Sequence, residues 1–372
     1  MTDWMTTRRT AMAAMAITAA FPAAGKAAAR RRVTLIAGTY AREGGKGLYP
    51  IAFDAARDDW QVGAPVAGIE DASFGIAGGP GHAYYLVREK AAGEISAYSA
   101  EWARRGTAPT MGADPCYVAI DRASACLAVA NYSSGSVAFH RLDPRTGVPG
   151  APVLFRHRGT GPNHSRQEGP HAHWVGFSPD RRWLHSVDLG ADTIYAYRFD
   201  PRARTLAEPV AAWRAPAGAG PRHLVHHPVR PVAYVVCELS NTLVMLNAKA
   251  DGSFVTQRTL STLPAGHRGA SQAAHIAIDR AGRRLYVSNR GHDSIAVFAL
   301  DPAGVPSSLQ HVASGGTWPR FFLLMEAQRR VVVANEHSGT LAILRIEADG
   351  RLVATGQSVS VPGVVFLDTV EA

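Results

Sequence analysis

The chain has 372 residues, 47% of them hydrophobic and only 19% charged, which is enough apolar material for a full core and excludes a disordered chain. With 36 Gly and 23 Pro, the composition favours many short strands and turns over long helices. The formal charge of +9 is carried by scattered arginines without a basic block or an aromatic-interleaved basic motif, so nucleic acid is not an expected partner.

Residues 1–29 read as a leader. Thr7-Arg8-Arg9 precedes an Ala-rich apolar run from Ala11 to Ala20, and small residues from Ala23 to Ala29 suit cleavage, a pattern that resembles a twin-arginine export signal. The bulky apolar pair that usually follows the arginines is missing, which leaves the secretory pathway open as the route. A periplasmic or secreted location is expected. Losing Arg8, Arg9 and Lys26 together with Asp3 lowers the net charge to +7. No other apolar stretch reaches membrane-spanning length, so no membrane insertion is expected after the leader is removed.

Beyond the leader, residues 30–372 read as one repeat protein. The first unit, "VTLIAGTYAREGGKGLYPIAFD" from 33, has the second and third strands of a repeat but no first; a weaker unit, "SFGIAGGPGHAYYLVREKAAGEISAYS", follows from 73. Five clearer units begin at 115 ("PCYVAIDRASACLAVANYSSGSVAFHRLD"), 171, 221, 274 and 319. Each has an apolar strand, a polar turn, a second strand ending in a polar residue, a Gly, Ser or Asn turn and a third alternating strand. The second strands end at Arg88, Asn131, Asp188, Glu238, Asn289 and Asn335, at intervals of 43, 57, 50, 51 and 46 that suit a four-stranded propeller blade. The C-terminal "PGVVFLD" from 362 mimics "PCYVAID" from 115 and supplies the strand the first unit lacks. Closing the ring this way leaves no open edge and predicts an all-β, seven-bladed β-propeller of four-stranded antiparallel blades. A monomer is expected, since propeller edges are short and protected.

The 57-residue interval holds an inserted loop, "RHRGTGPNHSRQEG", where a repeat protein usually places function. In an antiparallel hairpin, the start of the first strand and the end of the second lie at one end. His171, His173, Arg222, His223 and Arg320 therefore share a channel mouth with Asp188, Glu238, Asn289, Arg290, Asn335 and Glu336. Arginines, a glutamate and histidines gathered in a cleft are a site pattern. His171 and His173 share one face of a strand, as zinc ligands could, but lack a convincing third ligand, so no metal and no cofactor is expected. No GxSxG elbow indicates a serine nucleophile. Cys116, Cys126 and Cys237 lack CxxC spacing, although Cys116 and Cys126 could face each other across a hairpin.

The strings "GPNHSRQEGPHAH", "DLGADTIYAYR", "GPRHLV", "ELSN", "SNRGHDSIAVF" and "GTWPRFF" give the chain a resemblance to the lactonase family of seven-bladed propellers. That family includes cycloisomerase-type 6-phosphogluconolactonases and carboxymuconate cyclases. The resemblance covers essentially everything after the leader and implies catalytic roles for His173 in "PHAH", Arg222 in "GPRH", Glu238 in "CELSN" and Arg290 in "SNRG". His171, Arg320, Asp188 and Glu168 are expected to bind substrate or order the loop.

Physically, arginines stabilise the oxyanion of a lactone under attack by water, while Glu238 and His173 would move protons. The expected partner is a small lactone or an anionic sugar acid. Three functions fit: hydrolysis of a sugar lactone in the manner of a 6-phosphogluconolactonase, muconate-type cycloisomerisation, and a non-catalytic binding or scaffold propeller.

Overall fold

The computed structural model describes residues 32–370; the expected leader, residues 1–29, lies outside them. Seven antiparallel sheets account for the strands. Their innermost strands touch in sequence, from Ala72–Gly79 to Pro115–Asp121, Ala172–Phe177, Pro221–His226, Gln272–Ile278, Pro319–Met325 and Val364–Val370, and Val364–Val370 returns to Ala72–Gly79. That closed circuit is the seven-bladed propeller the repeat predicts.

The first blade is assembled from both ends of the chain: Val364–Val370 pairs with Arg32–Thr39, followed outward by Leu48–Asp54 and Asp59–Val62. Its register matches Thr34 to Val370 and Thr39 to Val364. Val364, and not Pro362, thus takes the place that Pro115 has opposite Asn131, two residues from the correspondence read in the sequence. The seam depends on Gly38, where any Cβ would overlap the ring of Phe366. The fourth blade departs from four strands, because Thr193–Asp200 pairs with both Thr205–Leu206 and Val210–Arg214.

The interior follows from period-2 alternation within each strand, which sends apolar side chains to both faces of blades that are themselves sandwiched between blades. Cys126–Asn131 and Val232–Cys237, for example, are buried along their whole length. Neighbouring blades are also latched by hydrogen bonds. Tyr85, Tyr234 and Tyr286 hydroxyls donate to the carbonyls of Gly147, Gly304 and Gly350, each in the outer turn of the next blade, at 2.8, 2.5 and 2.9 Å.

One irregularity recurs. Near its mouth end, the innermost strand of every blade shifts register by one residue, leaving Ser73, Cys116, His173, Arg222 and Arg320 as bulged positions in five of them. A bulge re-aims a side chain. Residues one step further in plug the channel: Phe74 stacks on Tyr117 at 4.1 Å and His275 on Phe321 at 4.0 Å, with Trp174, His223 and Phe366 completing the layer.

Cys116 and Cys126 do not meet. Cys126 pairs with Asp121 at the far end of the same hairpin whose mouth end holds Cys116, and all three cysteines are free.

Candidate active site

A cavity of about 190 Å³ opens at the mouth, lined by Tyr40, Glu89, Asp114, Pro115, Cys116, Tyr132, Arg166, His173, Glu238, Arg290 and Arg320. Most of these come from two repeating positions. One is the bulged residue of the innermost strand, which supplies Cys116, His173 and Arg320. The other is at the mouth end of the second strand of a blade, the residue just after the strand in five blades and its last residue in the sixth. Thr39, Arg88, Asn131, Cys237 and Asn335 end the pairing with the innermost strand, and the next residues are Tyr40, Glu89, Tyr132, Glu238 and Glu336; in the sixth blade the ladder runs one residue further, past Asn289–Ala273 to Arg290–Gln272, and Arg290 holds the corresponding place inside the strand. Glu238 is therefore equivalent to Arg290, not to Asn289. The preceding position is fully buried in Asn131, Asp188, Asn289 and Asn335 and faces the structure instead of the cavity.

Glu238 is the electrostatic centre. Its side chain is 1% exposed and three guanidinium groups reach it: Arg166 at 2.6 Å on Oε1, and Arg222 at 3.0 Å and Arg290 at 2.7 Å on Oε2. The contact on Oε1 is an aligned hydrogen bond, whereas Oε2 has charge contacts without hydrogen-bond alignment. Burial alone would raise its pKa, but Arg290, Arg222 and Arg166 outweigh burial and hold the carboxyl well below its ordinary range. Glu238 is thus an anion throughout the physiological range.

His173, 6% exposed, places Nδ1 at 3.7 Å from Cys116 Sγ. Burial, then Arg222, depresses its pKa far below the usual histidine value, so the ring is neutral. Burial likewise raises the Cys116 thiol to about 12, which keeps it protonated.

Arg222 does not line the cavity. It lies beneath Glu238, 2% exposed, where Nη1 donates to the Ala274 carbonyl at 2.7 Å and to His223 Nε2 at 2.9 Å. Accepting at Nε2 leaves the His223 proton on Nδ1, from which it donates to His275 Nδ1 at 3.0 Å. Burial, then Arg290, lowers the Arg222 pKa to about 9, and it remains a cation at neutral pH.

Among the four expected binding residues, Arg320 lines the cavity and contacts Glu336 at 3.4 Å. His171 lies behind Tyr132, stacked at 4.5 Å, with Nε2 at 3.1 Å from Glu168, whose side chain is 61% exposed. Asp188 is fully buried and staples the inserted loop at both ends. Its Oδ2 is 2.6 Å from His157 Nδ1 at the loop's start, and its Oδ1 accepts from the backbone N–H of His171 at 2.8 Å at the loop's end. Neither His171, Glu168 nor Asp188 lines the cavity. The loop contributes Arg166 in their place. Sequence reading missed Arg166, Tyr40, Glu89, Asp114, Tyr132 and Cys116; Tyr40, Glu89 and Tyr132 are recoverable from the repeat as the residue one step beyond each second strand.

The family described as Lactonase, 7-bladed beta-propeller matches residues 34–369. The chain belongs to this lactonase family. It is 33% identical over 335 residues to the 6-phosphogluconolactonase of Bacillus subtilis, covering 87% of this chain and 95% of that protein. Among solved structures, the periplasmic gluconolactonase of Pseudomonas aeruginosa superimposes with a TM-score of 0.83 at 29% identity, over 91% of this chain and 99% of that one. A Lactobacillus plantarum protein gives a TM-score of 0.84 at 27% identity, over 91% and 100% of the two chains. The lactonase fold and this chain's mouth residues therefore occur together on one propeller.

Proposed function

We propose that this lactonase-family chain hydrolyses an uncharged aldonolactone. The observation that carries the reading is Glu238, a buried carboxylate that gathers Arg166, Arg222 and Arg290 beside neutral His173 at the cavity. A permanently ionised Glu238 has no proton to give, and both its oxygens are taken up by guanidinium groups, so its role is to hold the arginines in place. Proton transfer falls to His173. Water attacks the lactone carbonyl as the His173 imidazole takes its proton, and Arg290 and Arg320 stabilise the oxyanion. When the ring C–O bond breaks, the imidazolium returns that proton to the departing ring oxygen, giving the free hydroxy acid. Its depressed pKa makes the imidazole a weaker base for the first step and the imidazolium a stronger donor for the second.

Charge balance supports an uncharged substrate. The lining arginines Arg166, Arg290 and Arg320 face the lining carboxylates Glu89, Asp114 and Glu238, and each of these arginines already contacts a carboxylate. A phosphate dianion, or the two carboxylates of a muconate, would compete with Glu238 and Glu336 for these cations. The reading includes export by the N-terminal leader, where an unphosphorylated sugar lactone is the more accessible substrate, and action as a monomer.

The test compares hydrolysis of D-glucono-1,5-lactone and 6-phosphogluconolactone, corrected for spontaneous opening, in the wild type and in Glu238→Gln. The unphosphorylated lactone should be preferred, with a loss on the order of 10²-fold or more in Glu238→Gln. Equal rates in wild type and variant would leave a binding propeller instead of an enzyme.

A further inference from the structure

The mouth cavity holds one carboxylate that the reaction proposed above leaves unused. Glu89, Asp114 and Glu238 line it. Both oxygens of Glu238 are taken up by guanidinium groups. Glu89 gives Oε1 to Arg42 at 2.6 Å, and its Oε2 is buried out of reach. Asp114 differs from both. It is half-buried, and among the described residues nothing bonds either of its carboxylate oxygens, which stay accessible from the cavity.

The fold does not require that side chain. Asp114 immediately precedes the innermost strand Pro115–Asp121, and Asp71, Gly220, Trp318 and Gly363 hold the same place in four other blades. All five have a left-handed backbone, with φ from 47° to 67°. The carbonyls of Asp71, Asp114, Gly220, Trp318 and Gly363 accept the backbone N–H of Glu89, Tyr132, Glu238, Glu336 and Tyr40, respectively, at 2.7 to 3.2 Å. The position therefore serves the mouth through its main chain, and glycine suffices in two blades. Where a side chain is present it is used: Asp71 Oδ1 accepts from the Ala41 N–H at 2.7 Å, and Trp318 stacks on His337 at 4.6 Å. Asp114 alone among them offers a free acceptor to the cavity.

Its place in the ring indicates what it meets. Asp114 belongs to the third blade, and in a ring of seven the blades most distant from the third are the sixth and seventh, which carry Arg290 and Arg320. A six-membered lactone whose carbonyl oxygen faces those two arginines turns its far side, C3 and C4, to the wall of Asp114. A carboxylate accepts two hydrogen bonds side by side, which suits hydroxyls on adjacent carbons, and hydrogen bonds to a charged acceptor are the strong ones. A lactone without hydroxyls would cover the same carboxylate and leave it unpaired, so the side chain discriminates as well as binds. We propose that Asp114 is a specificity-determining residue of the mouth, accepting hydrogen bonds from the adjacent C3 and C4 hydroxyls of a polyhydroxylated 1,5-lactone. The inference rests on the lactonase reading of this site and names the part of the substrate it recognises.

The test measures kcat and KM for D-glucono-1,5-lactone, for its 2-deoxy analogue, which keeps the C3 and C4 hydroxyls, and for δ-valerolactone, which has no hydroxyl. Wild type, Asp114→Gly and Asp114→Asn are compared. Glycine is the residue of two other blades at this position and asparagine tolerates a left-handed backbone, so both variants should keep the thermal transition. In Asp114→Gly, KM for both sugar lactones should rise roughly tenfold or more with little change in kcat, and the preference for them over δ-valerolactone should fall by the same factor. Asp114→Asn, with one acceptor oxygen, should lie between. An unchanged preference in Asp114→Gly, or an equal loss on all three lactones, would overturn the proposal. Calorimetric titration with the hydrolysis-resistant D-glucono-1,5-lactam separates this inference from the reading beneath it. The lactam should bind the wild type, and Asp114→Gly roughly tenfold more weakly, whether or not lactones are turned over. No turnover by the wild type together with that loss of affinity would remove the hydrolase reading and leave Asp114 as a sugar-reading residue. Turnover together with undiminished lactam affinity in Asp114→Gly would remove the Asp114 assignment alone.

Discussion

At the scale of single residues, charge state follows from the balance between burial and neighbours. Glu238 and Asp368 are both substantially buried carboxyl groups, yet they shift in opposite directions. Three arginines hold Glu238 ionised, whereas Asp368 has a Tyr84 hydroxyl at 3.0 Å as its close side-chain partner, and burial raises its pKa to about 6. The unfolded chain ionises near pH 3.9, so the native state favours protonated Asp368; its contribution is full below that pH and is lost as pH rises through about 6. Asp368→Asn should therefore raise stability at pH 7.5 by roughly 1–2 kcal/mol, discounted for partial exposure, and leave it nearly unchanged at pH 4. Thermal melts at the two pH values measure the difference. His173 yields a second prediction. Because its pKa lies well below the ordinary value, kcat/KM should show no limb near pH 6.5, the reference titration of histidine. A limb there that vanishes in His173→Gln would contradict the neutral ring.

At the scale of elements, the insertion between the third and fourth blades is held by its ends. Asp188 joins His157 to the backbone of His171, and Gln167, fully buried, bonds the Leu189 carbonyl at 2.9 Å, so the loop reaches Glu238 through Arg166 as a fixed arm. Asp188→Ala should free both ends. The expected result is faster tryptic cleavage at Arg158 or Arg166, together with a loss of activity on the order of 10²-fold from a misplaced Arg166. Unchanged proteolysis would show that Gln167 suffices to hold the arm. Asp188 is legible in the sequence as a polar strand end, but its neighbour in the repeat has the opposite orientation. A strand alternates faces with every residue, so a one-residue shift separates a buried staple from a cavity wall. The recurring bulges set that shift, and nothing local in strings such as "PCY" or "PRH" announces them.

At the scale of the whole molecule, the ring is closed by Val364–Val370 beside Arg32–Thr39. Removing residues 362–372 would expose the Arg32–Thr39 edge and strip Phe366 from the aromatic layer that supports the site. The truncated chain should lose its single thermal transition and associate, as read by calorimetry and size-exclusion chromatography. A monodisperse chain with an unchanged transition would show that the six remaining complete blades hold the first in place.

Period-2 strands, polar strand ends and a repeat of 43 to 57 residues determined the propeller and its closure from the sequence alone, because each blade repeats the same local pattern. The same pattern placed His173, Glu238, Arg290 and Arg320 at one mouth. Tertiary structure decided which residues face the cavity. Arg222 went beneath Glu238, Asp188 turned to the loop, and Tyr40, Glu89, Tyr132 and Arg166 entered from different blades and from the insertion. Those choices depend on one-residue register and on contacts between residues as far apart as Arg166 and Glu238, which no window of sequence contains.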